Sequence, residues 1–206
     1  GVIGLKSGQT SPPQIKDYLA SIQTSTDLMV VSSVWESRIV EQLGVANQKI
    51  MITGLPRFDG LKEQDKTDML VFFTWGKKSK IEQKYAQVKQ SSYIQKCIND
   101  NVKINFLYHN MMQGENNSIR SLQRKIISAK VLITDNSSLA WDVYHTGGLV
   151  IFFQPNLAEW LIPTGIADEL QEFVCSTTRQ LDSLLYECIE GKYLMRKFDF
   201  FPNYKD

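Results

Sequence analysis

Three short stretches of this chain are apolar at every position rather than at every second one: Met69 to Phe73, Val131 to Ile133 and Leu149 to Phe153. A strand with one face in water alternates apolar and polar side chains. A strand without alternation must be covered on both faces, and that arrangement belongs to parallel sheets with helices packed above and below. The first of these strands is expected to run on to Trp75, and the second to end at Thr134. Between the strands lie helical patterns. Ile81, Tyr85, Val88, Ile94 and Ile98 form the inner side of one long helix over residues 79–98, and Ile119, Leu122, Ile126 and Ile127 that of another over 118–129. Further strands are expected at 28–32, 49–53, 102–108 and 173–176, and further helices at 33–43, 138–145 and 178–189. Ser33 and Glu36 make a capping box for the first of those helices, and Gly44 ends it. The expected fold is α/β, a Rossmann-like doubly wound parallel sheet.

Residues 28–206 carry this alternation and are read as one domain. Residues 1–27, with Pro12-Pro13, read as a linker or the remnant of a preceding domain. The chain opens at Gly1 and is expected to be a fragment of a longer protein. The formal net charge of +1 gives no reason to expect nucleic acid as a partner. Three widely spaced cysteines and two histidines argue against a disulfide framework or a metal centre and suit a reducing, cytoplasmic setting. No apolar stretch approaches the length of a membrane span.

In a doubly wound sheet, ligands bind at the carboxyl ends of the strands. The polar residues of this chain gather where those ends fall: Ser32-Ser33, Gly54-Leu55-Pro56-Arg57, Thr74-Trp75-Gly76-Lys77-Lys78, His109-Asn110, Thr134 to Ser138, and Gln154. Leu132-Ile133-Thr134-Asp135-Asn136-Ser137-Ser138 is the most informative of these. It hands a strand to a helix whose first turn offers backbone N–H groups and serine hydroxyls to an anion. Ser and Asp are also ordinary helix caps, but two serines behind an aspartate exceed what one cap needs. Asp142, one turn further in, could tie down the serine loop or hold a ligand hydroxyl. Gly54 and Pro56 have two readings: a plain turn, or a turn that lets the backbone approach a ligand while Arg57 offers a planar fork to phosphate. His109 could contact phosphate oxygens or move a proton. Trp75 could stack on a base or fill the core.

Taken in order, Ser32-Ser33-x-Trp35-Glu36, Thr53-Gly54-Leu55-Pro56-Arg57-Phe58-Asp59, Phe73-Thr74-Trp75, His109, Ile133-Thr134-Asp135-Asn136-Ser137-Ser138-x-x-Trp141-Asp142 and Val150-Ile151-Phe152-Phe153-Gln154 resemble the CDP-glycerol glycerophosphotransferases. These are bacterial teichoic-acid and capsule polymerases with a GT-B architecture, and the likeness, over residues 28–154, is to their C-terminal half. The resemblance implies that residues 28–206 bind the nucleotide donor. Ser137 and Ser138, in the run with Thr134 and Asp135, would hold the donor diphosphate. His109 would match the histidine of the family's His-Pro motif and is the candidate catalytic residue. Gly54, Pro56 and Arg57 would line the cleft, and Asp142 would support the serine loop. Asn110 stands where the family has proline, Asn136 where it has tyrosine, and Gly76 where it often has arginine, so Lys77 or Lys78 would replace that charge. The family's catalytic base lies in an N-terminal half to which residues 1–27, lacking histidine, have no counterpart.

The leading expectation is the donor-binding half of a transferase moving glycerol phosphate from CDP-glycerol to a polymer or lipid-linked acceptor. The parent protein would then be peripheral at the inner face of the cell membrane. No resident cofactor is expected, nor a metal, since no DxD-like carboxylate pair is present. A second reading is a GT-B glycosyltransferase with a nucleotide-sugar donor, in which Glu159 would grip sugar or ribose hydroxyls. A third is a non-catalytic α/β interaction module.

Overall fold

The computed structural model describes residues 27–32, 34–42, 45–54, 59, 65–74, 76–108, 119–135, 137–156 and 171–190. Those up to Asp59 fall in one compact unit and those from 65 onward in another.

The first unit holds two parallel strands, β1 (Met29–Val31) and β2 (Ile50–Ile52), joined through α1 (Val34–Gln42). Val31, Val40 and Val45 form its small core, with Met29, Ile50 and Ile52 packed against them. A 3₁₀ turn at Asn47–Lys49 leads into β2. Ser33 and Gly44 lie outside the described residues, as does the side chain of Glu36, so the expected cap and stop of α1 are not described.

The second unit is the doubly wound sheet. Its strands are β3 (Asp68–Phe72), β4 (Ile104–Leu107), β5 (Ala129–Thr134), β6 (Leu149–Phe153) and β7 (Val174–Cys175), in spatial order β4-β3-β5-β6-β7, all parallel. Every residue of β3 and β6 is buried, as their unbroken apolar runs require. Helices cover both faces. On one, α2 (Lys78–Lys89) and α3 (Ser92–Asn99) pack with α6 (Thr178–Leu185). On the other, α4 (Ile119–Ser128) packs with α5 (Leu139–His145). This is the Rossmann-like α/β fold expected from the sequence.

The single helix expected over residues 79–98 is two helices. The break falls at Gln90-Ser91, where Ser91 leaves the helical path and its Oγ accepts the Ile94 N–H as the N-cap of α3. Asp182 of α6 reinforces the break. Its carboxylate accepts from Ser91 Oγ at 2.5 Å, Ser92 Oγ at 3.0 Å, Tyr93 N at 3.1 Å and Ser92 N at 3.2 Å. A carboxylate facing the free N–H groups of a helix start is electrostatically favourable, and this one comes from another helix. The break also resets the buried face: Ile98, expected on the inner side, is 46% exposed, and Tyr93, Ile94 and Cys97 face inward in α3 instead. The helix expected over 178–189 is α6 followed by a π turn at Tyr186–Glu190.

Candidate functional site

The strand order fixes where a ligand crevice can form. From β3 the chain crosses to β4 on one side, then returns to β5 on the other. The loops leaving β3 and β5 therefore diverge over opposite faces of the sheet, and the gap between them is the topological switch point at which open α/β sheets bind ligands. Phe72 is in register with Thr134 there, so Phe73-Thr74 and Asp135 emerge side by side at the carboxyl edge.

The two exits are fastened to each other. Thr134 is fully buried, and its Oγ1 donates to the Phe72 carbonyl at 2.6 Å. Asp135, 3% exposed, accepts from both the backbone N–H and the Oγ1 of Thr74 through Oδ1, each at 2.8 Å. Its Oδ2 pairs with Lys84 Nζ at 2.8 Å, and that lysine side chain is only 12% exposed. The next residue of α2, Tyr85, takes the Phe73 N–H on its hydroxyl at 3.3 Å and donates to the Leu107 carbonyl at the end of β4. Burial pushes the Tyr85 phenol far above its usual range, so it stays protonated and can donate.

Beyond Asp135 the chain enters α5. Ser137 Oγ accepts the Leu139 N–H at 3.2 Å, and Ala140 N–H goes to the Ser137 carbonyl at 3.1 Å. Ser138, the residue before the first helical position, is exposed and makes no side-chain cap bond. One serine thus shapes the turn while the other leaves its hydroxyl at the surface. Asp142 is buried inside α5. On the β3 side, Gly76 and Lys77 are exposed, and α2 begins after Lys77 without a side-chain cap and without an acidic residue in its first turn. Gly54 closes β2 in the first unit with φ 78°, a left-handed conformation that favours glycine. Pro56, Arg57, Trp75 and His109 lie outside the described residues.

Among the described residues no cluster of three or more His, Cys, Asp or Glu side chains could hold a metal ion. No helix among them is long and apolar enough to cross a membrane. Sequence reasoning assigned no role to Lys84. It falls on the inward stripe of α2, three residues after Ile81 and four before Val88, and a lysine on a buried stripe needs an acceptor. That position was the available signal for its pairing with Asp135.

No family model matches this sequence, and no curated protein matches it. Solved structures do match in fold. The wall teichoic acid polymerase TagF aligns with 88% of this chain at 14% identity and a TM-score of 0.58. A histidine-to-asparagine variant of TagF aligns with 96% at 13% identity and a TM-score of 0.65. A putative UDP-N-acetylglucosamine 2-epimerase from Listeria monocytogenes aligns with 92% at 10% identity and a TM-score of 0.57. The alignment spans 53% of the TagF chain and 58% of both the variant and the epimerase, so this chain spans about half the length of the structures it matches. What is shared at these identities is the fold, the Rossmann-like α/β half of a GT-B architecture.

Proposed function

We propose that this chain is the donor-binding half of a transferase that moves glycerol phosphate from CDP-glycerol to a polymer or lipid-linked acceptor, as in teichoic-acid or capsule synthesis. The observation that carries the reading is that the Thr134-Asp135-Asn136-Ser137-Ser138 run leaves β5 at the switch point of a sheet with the TagF fold. A motif and a topology thus point independently to one edge of the molecule. In the parent enzyme an acceptor hydroxyl would attack the β-phosphorus of the donor. The bond from that phosphorus to the bridging oxygen would break, and CMP would leave. Ser137 and Ser138 hydroxyls, Lys77 and His109 would meet the growing charge on the phosphate oxygens. α5 has only seven residues, so its dipole alone is a weak anion site, and the serine side chains are assigned the larger part. Asp142 would brace the serine loop.

The test is calorimetric titration with CDP-glycerol, CDP, CMP and UDP, beside a Ser137→Ala/Ser138→Ala variant. Saturable cytidine-nucleotide binding, weakened about tenfold or more in the variant, supports the reading; this is the loss expected from one to two hydrogen bonds to a charged group. The fold likeness to the 2-epimerase favours a second reading, a nucleotide-sugar enzyme, and a preference for UDP would select it.

A further inference from the structure

Asp135 belongs to the run assigned to donor phosphate, yet its carboxylate is turned inward and engaged on both oxygens. Oδ1 holds Thr74 by two bonds and Oδ2 holds Lys84. A buried anion so occupied has little left to offer a ligand, and a donor phosphate would be repelled by it. Its partners, in contrast, both stand on the opposite lip of the crevice, the one that follows β3. Thr74 is the last described residue before the β3 loop, and Lys84 lies seven positions past Lys77, where that loop enters α2. The loop through Gly76 and Lys77 is therefore fastened at its start by Thr74 and at its far side through Lys84. Both fasteners end on one carboxylate, which stands two residues before Ser137 in the opposite loop.

We infer that Asp135, with Lys84 and Thr74, is a latch across the switch point: a positioning residue that sets the spacing of the Gly76-Lys77 and Ser137-Ser138 loops without touching the ligand. Its service to the donor rests on the function proposed above, whereas the latch itself does not. Ser137, Ser138 and Lys77 can grip one diphosphate only if their loops keep a fixed separation. A buried carboxylate, ion-paired on one oxygen and hydrogen-bonded on the other, supplies that rigidity where the strands have already ended.

The test uses backbone amide chemical shifts of the whole chain, with CDP as probe. Lys84→Met removes one side of the latch. Lys84→Met/Asp135→Asn removes both charges together, leaves no buried charge unpaired, and protects the test should the single variant fail to fold. Gln83→Ala, exposed on the same helix, is the control. The latch predicts that both variants shift the Ser137 and Ser138 amides as well as those of Gly76 and Lys77, that the control shifts neither pair, and that CDP binds at least fivefold more weakly in the double variant. Shifts confined to α2 and the Gly76-Lys77 loop would overturn the latch. Shifts in both loops with CDP affinity unchanged would overturn its positioning role. Shifts in both loops in a chain whose wild type binds no CDP would support the latch and sink the donor reading instead.

Discussion

Lys84 and Tyr85 are neighbours on α2 that reach the carboxyl ends of three different strands. Lys84 pairs with Asp135 after β5, while the Tyr85 hydroxyl joins Phe73 after β3 to Leu107 at the end of β4. Tyr85 is 2% exposed and packed among Phe73, Phe106 and Tyr108, with ring centroids 4.9, 6.3 and 4.4 Å away. Tyr85→Phe keeps the ring contacts and deletes the hydroxyl, leaving the buried Phe73 N–H without this acceptor. The expected cost is about 1–3 kcal/mol. Tyr85→Ala should cost more, about 3–5 kcal/mol, because a cavity is added. Urea denaturation of both variants checks the order. No loss in Tyr85→Phe would mean that the hydroxyl bridge contributes nothing.

The cap that Asp182 places on α3 should be visible in acid. Burial raises the pKa of Asp182, but hydrogen bonds from Ser91, Tyr93 and Ser92 outweigh it and hold the carboxyl below its ordinary 3.8. A carboxyl depressed on folding adds stability that is fully present above the unfolded value and is lost as pH falls through the folded one. Wild-type stability should therefore drop as pH is lowered below 3.8, and Asp182→Asn should start lower at neutral pH and lose less over that interval. Asp68, also depressed, adds to the same acid loss: burial raises it, but Lys103, Thr67 and Asn105 outweigh burial. Thermal melts at pH about 6 and about 3 for the Asp182 variant and wild type decide the matter. Parallel losses would show that the cap is not electrostatic.

The β3 and β6 runs declared the sheet because an unbroken apolar run has few alternatives. The strand-to-helix handover at Thr134-Asp135 was equally open, since strand and cap chemistry meet within a few residues. What stayed hidden was long-range and polar. Asp182 lies 91 positions from Ser91, and nothing local distinguishes it from a surface aspartate on α6. Asp135 groups with the serines in sequence because the run is contiguous, although a β5 exit buries one residue and exposes another a few positions on. The donor-side readings of Arg57, Trp75 and His109 rest on side-chain chemistry and sequence position, neither of which fixes side-chain geometry.

Gly147 and Gly148 should differ sharply although they are adjacent. They close α5 as a Schellman motif: Gly148 N–H bonds the Val143 carbonyl at 2.9 Å and Gly147 N–H the Tyr144 carbonyl at 3.0 Å. Gly147 has φ 80° with open space around it, so Gly147→Ala costs only the left-handed backbone penalty of about 1–2 kcal/mol. A Cβ on Gly148 would stand 2.6 Å from Val143 Cγ1 and 2.7 Å from the Ala129 carbonyl oxygen. One of those atoms is β5 backbone, so Gly148→Ala must push the helix end away from the sheet, at about 1–3 kcal/mol or more. Gly148→Ala should also perturb the β5 amides, whereas Gly147→Ala should leave them unchanged. Chemical denaturation with amide spectra separates the two.

Ser137 and Ser138 should part company in stability while acting together on a ligand. Ser137 Oγ accepts the Leu139 N–H, so Ser137→Ala strips a partner from the start of α5 and should cost about 0.5–2 kcal/mol. Ser138 is exposed and caps nothing, so Ser138→Ala should leave stability within about 0.5 kcal/mol of wild type. If both hydroxyls meet the donor diphosphate, each single variant should still weaken CDP binding severalfold. Melting curves and calorimetric titrations on the same two proteins give both quantities. Loss of CDP affinity only in Ser137→Ala would assign its effect to the shape of the turn. Loss in Ser138→Ala at unchanged stability would mark that hydroxyl as a ligand contact, because it makes no cap bond at the start of α5.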